Sequence, residues 1–443
     1  MNVAARRIGL EQEFFLVDEA GMLSDRADEF LQRTQAVAEA EGRNPKYFAP
    51  EFVKHIVELN TPPAWSLKEL VREYLSNLKL ALRVARELSL RLYPLSQYPL
   101  HIMPVIRDEQ NYHVQARTVG YDRFLHAGRC TGTHLHLDLP PGTIDPRVGV
   151  SYNASVEARE ELLNLYNLAT ALDAALISLS QASPFYEGRL LEMAARTIHY
   201  RGSKTFGWEG VYTNLPATGG LQPYASDVES LVEQQFARYY TWLEAMDKAG
   251  VERHLFLQAG GSLLKSAWNP VRLNGLGTVE LRATDSDFPE VTLAIATLVY
   301  NAADRVRREG WTVRPAEGVR VFQMSGKRLS VPDFSYLTGD LFYAAVTEGV
   351  KNANVKAYLD SVLEFATQEG EGSEYLAKLK ASVGDYQTTE AEILRDFAPT
   401  TADISRDEGL RLVCSCCDRL EKQVASLSEQ EPVTVLSAKV EET

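Results

Sequence analysis

Cysteine is scarce in this chain: four residues in 443, Cys130, Cys414, Cys416 and Cys417. That is too few, and too bunched, for a disulfide framework. The group Cys414-Ser415-Cys416-Cys417 shares helical periodicity with Leu410, Leu412, Val413 and Leu420, which reads as a buried helix face. No second Cys or His cluster lies nearby in sequence to complete a zinc set. Long apolar runs are missing as well. None approaches the roughly 18 residues that span a bilayer, and Arg6 and Arg7 lead straight into a strand without a signal-peptide stretch. The expected location is therefore cytoplasmic, with no membrane partner. Positive charge is in deficit, with 46 Lys and Arg against 60 Asp and Glu and a formal net charge of -14. Nucleic acid is excluded as a partner on that ground, because phosphate neutralisation needs clustered basic residues. An anionic small substrate is not excluded, since Mg2+ can lie between carboxylates and phosphates. The Gly- and Pro-rich run at 215–223 reads as a loop without the Gly-Lys-Ser/Thr ending of a Walker phosphate loop.

What the chain does have is one strand design used three times. In Gly277-Thr278-Val279-Glu280-Leu281-Arg282-Ala283-Thr284-Asp285, period two puts Val279, Leu281 and Ala283 on one face and Thr278, Glu280, Arg282 and Thr284 on the other. Glu11 and Glu13 share a face in Ile8-Gly9-Leu10-Glu11-Gln12-Glu13-Phe14. His134, His136 and Asp138 share one in Thr131-Gly132-Thr133-His134-Leu135-His136-Leu137-Asp138. Each strand has an apolar side and a side bearing acceptors or metal ligands, as expected of neighbours in one sheet whose polar face lines a cavity.

Between them, residues 25–41 read as a helix ending at Gly42. Val57 and Leu59 alternate with Glu58 and Asn60 in a strand stopped by Pro62-Pro63, with Glu51 at its entry turn. Residues 66–92 read as one long amphipathic helix with a Ser66 cap and a capping-box Glu69. Residues 93–129 lack a clear period and read as loops and short helices crossing over the site. A mostly buried helix is expected at 156–180, and Arg196, His199 and Arg201 lie close together after it. They are exposed basic residues or a phosphate-binding group. Helices are expected at 226–249 and 290–308, then alternating helices and Gly-containing turns over 316–427 and a loose tail over the last dozen residues. The division expected is a catalytic unit over 1–315 and a helical region over 316–443 packed on it.

Taken together, Gly9-x-Glu11-x-Glu13, Glu51 with Glu58-x-x-Thr61-x-Pro63, Gly132-Thr133-His134-x-His136, Ser183-Pro184-Phe185 with Gly188, and Gly277-Thr278-Val279-Glu280-Leu281-Arg282-x-x-Asp285 resemble, in kind and order, the glutamate-cysteine ligase and related carboxylate-amine ligase family. The likeness runs from about residue 8 to 310. It implies an α+β, glutamine-synthetase-like fold, a curved antiparallel sheet forming an active-site funnel flanked by helices. It also implies that ATP phosphorylates the γ-carboxylate of glutamate and that an amine, cysteine first among the candidates, displaces phosphate to form an amide. By the same resemblance Glu11, Glu13, Glu51, Glu58, His134 and Glu280 would ligate Mg2+ or Mn2+. His134, His136, Arg196 and Arg201 would contact ATP, and Arg196 and Arg282 would hold the transferred phosphate or a substrate carboxylate. The sequence departs from the pattern at Gln12 and matches little of it over 93–129.

The residue chemistry points the same way. Carboxylates converging in a cavity repel one another unless divalent cations neutralise them, and oxygen-rich ligand sets favour Mg2+ or Mn2+ over zinc. A different amine acceptor, or a metal-dependent hydrolase that uses His134, His136 and the carboxylates to activate water, stays open, as does the oligomeric state.

Overall fold

Alternation of apolar and polar side chains decides the central sheet. The computed structural model describes residues 6–367, 372–397 and 401–430; the expected loose tail lies outside them. The main strands are β1 (Ile8–Asp18), β2 (Phe48–Pro50), β3 (Ile56–Asn60), β4 (Leu90–Tyr93), β5 (Gly132–Asp138), β6 (Val271–Asn274) and β7 (Thr278–Asp285). They form one antiparallel sheet in the order β6-β7-β5-β1-β3-β2, with β4 pairing the far end of β1. The expected neighbours are thus adjacent. Leu10, Phe14, Val57, Leu59, Leu135, Leu137, Val279 and Leu281 are all buried. The helices Leu67–Glu87, Val156–Ala171, Asp173–Leu179 and Pro289–Glu309 pack against the strands.

Register then fixes which polar residues meet. Arg272 pairs with Glu280, Glu280 with His136 and His136 with Gly9, so one row of side chains runs across three strands and meets Gly9 on the fourth. The next row joins His134 to Glu11 and Glu11 to Asn60, and Glu13 pairs with Glu58. The ladder between β7 and β5 slips between Leu281 and Thr284. This bulge lies at Arg282, whose carbonyl accepts a hydrogen bond from Arg196 at 3.0 Å. Bulges commonly re-aim groups beside functional sites in this way.

Several expectations change in detail. The helix that begins after Ser66 stops at Glu87, and Leu90–Tyr93 is a strand. Ser89, at φ 54, makes the left-handed turn between them, which the run of apolar residues conceals. Ser66 does cap Glu69 N–H at 3.1 Å, but Glu69 Oε2 accepts from Trp65 N–H rather than from the cap residue. The helix expected at 156–180 is two, Val156–Ala171 and Asp173–Leu179, bent by 44°. No single helix among the described residues is long and apolar enough to cross a membrane. The region after the sheet is not purely helical. It opens with a three-stranded sheet, β8 (Thr312–Ala316), β9 (Gln323–Ser325) and β10 (Arg328–Pro332), before helices that end with Arg406–Gln430.

That last helix carries the cysteine group. Cys416 and Cys417 are buried, while Cys414 is half-buried against the carbonyl of Glu19. Burial pushes the Cys416 thiol up to about 12, so it behaves as an apolar side chain. Cys416→Ser and Cys417→Ser should each lower stability by about 1–3 kcal/mol by burying a hydroxyl, whereas Cys414→Ser should be nearly neutral. Thermal melts of the three variants test this ranking.

Candidate functional site

The polar face of the sheet lines a cavity of about 240 Å3. Glu11, Glu13, Glu51, Glu58, His134, Arg196 and Arg282 all face it, together with Arg272 and a wall that includes Tyr112, Tyr200, Tyr212 and Trp268. A second chamber of about 770 Å3, lined by Arg7, Asn44, Lys46, Tyr47, His136 and the Gly275–Gly277 turn, shares Glu11 with it. The two lie side by side along the sheet.

Three groups of side chains in this face have ligand atoms within 4.8 Å of one another: Glu11 with His136 and Glu280, Glu11 with Glu58 and His134, and Glu13 with Glu51 and Glu58. Their charges are not self-sufficient. Burial, then the neighbouring Glu51, pushes Glu13 up to about 8 despite Arg196, Arg282 and the Gly132 N–H. Glu51 is raised mainly by burial, and Glu58 is raised well above the ordinary range by burial and then by Glu11 and Glu51. Burial would raise Glu11 as well, but hydrogen bonds from His134 and His136 hold it below its ordinary value. His134 itself is driven down to about 3 by burial and by Arg282, so it is neutral. The Nε2 atom of His134 is buried without a hydrogen-bond partner, whereas His136 Nε2 lies 3.1 Å from Glu11 Oε1, and although burial would lower its pKa, Glu280 and Glu11 raise it. The neutral imidazole nitrogen of His134 and the crowded carboxylates are the donor set that a divalent cation satisfies. The residues therefore fit Mg2+ or Mn2+.

The cationic side is built as carefully. Arg282 NH1 lies 3.2 Å from His134 Nδ1 and 2.5 Å from Glu280 Oε1, while its Nε is buried and unpartnered. Arg196 reaches the cavity across Gly132, where an added Cβ would sit 2.3 Å from its guanidinium. The Gly132 N–H donates to Glu13 Oε2 at 2.7 Å. One glycine thus admits the arginine and fixes the carboxylate.

Not every expected residue converges. Arg201 is buried and bidentate on Asp173 at 2.6 and 2.8 Å, and it lines a separate pocket with Lys204 and Phe342. His199 stacks on Tyr186 with ring centroids 3.7 Å apart. Neither Arg196 nor Arg201 is the exposed basic residue that a surface reading expects. Asp138 holds Arg7 through its backbone N–H and Nε. Gln12 points into the core, where it accepts from Tyr74 and donates to the Asp287 carbonyl. Arg272 and the aromatic wall escaped the sequence reading. Val271-Arg272-Leu273-Asn274 alternates ahead of a Gly-x-Gly turn, a hairpin signal that would have found β6.

Two outcomes follow from this geometry. Gly132→Ala should fold with a near-normal melting temperature, because the clash meets the end of a flexible side chain. The displaced Arg196 should cost about 10²-fold in any turnover that depends on this cavity, the scale of a small misplacement of a positioning group. Second, Glu13, with its folded pKa near 8, binds more protons folded than unfolded between about pH 4.3 and 8. Metal-free protein should therefore lose stability as pH rises through that window, and Mg2+ should reverse the loss and release protons. Melting curves in chelator and in Mg2+ across pH 5 to 8 measure both.

The sequence matches the model of glutamate-cysteine ligase family 2 over residues 7–415. No curated protein matches it in sequence. Among solved structures it is similar to a bifunctional glutathione synthetase from Pasteurella multocida, at 17% identity and a TM-score of 0.58 over 96% of this chain. It spans about half of that protein, 54% of its length. It is also similar to a glutamate-cysteine ligase from Francisella tularensis in complex with AMP, at 13% identity and a TM-score of 0.58, covering 97% of this chain and 93% of that one. These likenesses establish the fold, and the match along nearly the whole sequence establishes the lineage: the chain belongs to glutamate-cysteine ligase family 2, a family of carboxylate-amine ligases.

Proposed function

We propose that the chain is an ATP- and Mg2+-dependent ligase that phosphorylates the γ-carboxylate of glutamate and couples it to cysteine, giving γ-glutamylcysteine. The observation that carries this reading is the meeting, in one cavity, of two candidate cation-binding groups, Glu11 with Glu58 and His134 and Glu13 with Glu51 and Glu58, with the guanidinium groups of Arg282, Arg196 and Arg272. Phosphoryl transfer to a carboxylate brings several anionic oxygens together, and it needs positioning and charge stabilisation rather than a protein nucleophile. The larger chamber has the volume for a nucleotide, and Glu11 lies in both cavities, where the two substrates would meet.

Glu11, Glu13, Glu51, Glu58, His134, His136 and Glu280 would hold the cations. When bound, Mg2+ joins the carboxylates to nucleotide phosphates and offsets charge on the transferred group. The protein's own groups do the rest. Arg282 presents a planar fork whose Nε is unpartnered, suited to two oxygens of the phosphoryl or carboxylate group. Arg196, held on the Arg282 carbonyl and lying over Tyr200, adds a second guanidinium to the cavity. The aromatic wall of Tyr112, Tyr200, Tyr212 and Trp268 encloses the space left for an acceptor. Excluding water there protects an acyl phosphate from hydrolysis.

Incubation with ATP, Mg2+, glutamate and a panel of amines, followed by ADP measurement and mass detection of new amides, tests the reading. ADP release should require glutamate and Mg2+, rise with cysteine, and vanish on chelation. A different amine giving the product would reassign the acceptor, and ADP-independent amide cleavage would make the protein a hydrolase. Arg282→Lys should keep the fold but lower turnover by about 10²- to 10³-fold, the effect of losing one preorganised donor. Near-normal turnover in that variant would remove the arginine from the chemistry.

A further inference from the structure

Glu280 is more heavily engaged than a free metal ligand can be. It is fully buried, and its Oε2 accepts from Arg272 Nε and from Asn274 Nδ2, both at 2.6 Å. Its Oε1 accepts from Arg272 NH2 at 3.0 Å and from Arg282 NH1 at 2.5 Å. A carboxylate has about four lone-pair positions, and four donors fill them. Yet the same carboxylate groups with Glu11 and His136 at ligand distances. A cation entering that group must displace a donor.

The surroundings identify which one. Asn274 is fixed, because its Oδ1 accepts the Leu276 N–H at 3.0 Å in the turn between β6 and β7. Arg282 is held by position on the bulge and lies beside His134. Arg272 sits on the edge strand β6, occupies two of the four positions, and lines the cavity. Its NH1 also donates to the Ala267 carbonyl at 2.7 Å, a contact outside the cation group that the guanidinium gives up when it moves. Moving this side chain frees one position on each oxygen and breaks no strand ladder.

We propose that Arg272 and a divalent cation exchange on Glu280, and that the displaced guanidinium then binds the phosphates of the nucleotide. Arg272 is thus a counterion to Glu280 before the cation arrives and an anion-binding group afterwards. This rests on the ATP- and metal-dependent reading above. It explains why a buried carboxylate meant for a cation carries two arginines: unpaired, it would carry a large desolvation cost. It also couples the ligands, since the cation that takes Glu280 releases the group that the phosphates use.

The test separates the two roles by sign. Mn2+ binding to nucleotide-free protein, followed by electron paramagnetic resonance of the free ion, should be tighter in Arg272→Gln than in wild type, by roughly tenfold or more, the scale of losing one charge-assisted competitor. Binding of a non-hydrolysable ATP analogue with Mg2+ should be weaker in the same variant. Should Arg272→Gln fail to fold, Arg272→Lys reads the same way, because its single ammonium leaves one Glu280 oxygen open to the ion. Weaker Mn2+ binding without nucleotide, or no change in either affinity, would overturn the exchange and leave Arg272 a structural support. Wild-type protein that binds no Mn2+ at all would instead sink the ligase reading on which the exchange rests.

Discussion

Everything in this structure answers to one constraint: several carboxylates are held on one buried face of a sheet, where each makes ionising the others harder. Burial and mutual repulsion raise Glu13, Glu51 and Glu58 together. A fold tolerates this only with compensating charge close by and a rigid frame behind. Arg196, Arg272 and Arg282 provide part of the charge. The remaining deficit is what a divalent cation would offset under the proposed function, so the arrangement that strains the protein is also the one the proposed chemistry would use.

The frame comes from strand geometry. A two-residue period places the carboxylates and histidines, and antiparallel register aligns them into rows, so a slip of one residue in any central strand would turn these side chains into the core. Departures from regularity fall where a regular sheet would fail. The bulge at Arg282 turns a backbone carbonyl to Arg196, and Gly132 gives up a side chain so that a guanidinium can cross the strand. Both lie on the paired strands β7 and β5.

This division explains what was legible in the sequence. Alternation on three strands placed Glu11, Glu13, His134, His136, Glu280 and Arg282 on polar strand faces, because period two is a local property and survives any tertiary arrangement. Glu58 and Glu51 were placed on a strand and its entry turn by the alternation and the double proline, and only the family resemblance singled them out as candidate ligands. What the sequence concealed depends on long-range partners. Arg201 looks like Arg196 in composition and spacing, and only Asp173, 28 residues away, makes it a structural ion pair. Leu90–Tyr93 continues an apolar pattern that suits helix and strand alike, and the left-handed Ser89 decides between them. Arg272 lies on a four-residue strand whose one local signal is its alternation ahead of the Gly-x-Gly turn, and its pairing with Glu280 shows only in the register.

The back of the sheet shows why a helical region follows the ligand-bearing strands. Just past β7, Asp287 is fully buried, and burial pushes its carboxyl up to about 7. Both of its oxygens lie within 2.9 Å of Thr389 Oγ1, and its carbonyl accepts from Gln12, the residue between the two glutamates of β1. Arg419, from the last helix, lies over the ring of Phe288 at 4.1 Å. The C-terminal helices are thereby tied, through one short turn, to the strands that carry Glu11, Glu13, Glu280 and Arg282. A glutamine at position 12 is then no irregularity between Glu11 and Glu13. It faces away from the glutamates on either side of it and ties β1 to the turn just past β7, across the intervening strand β5.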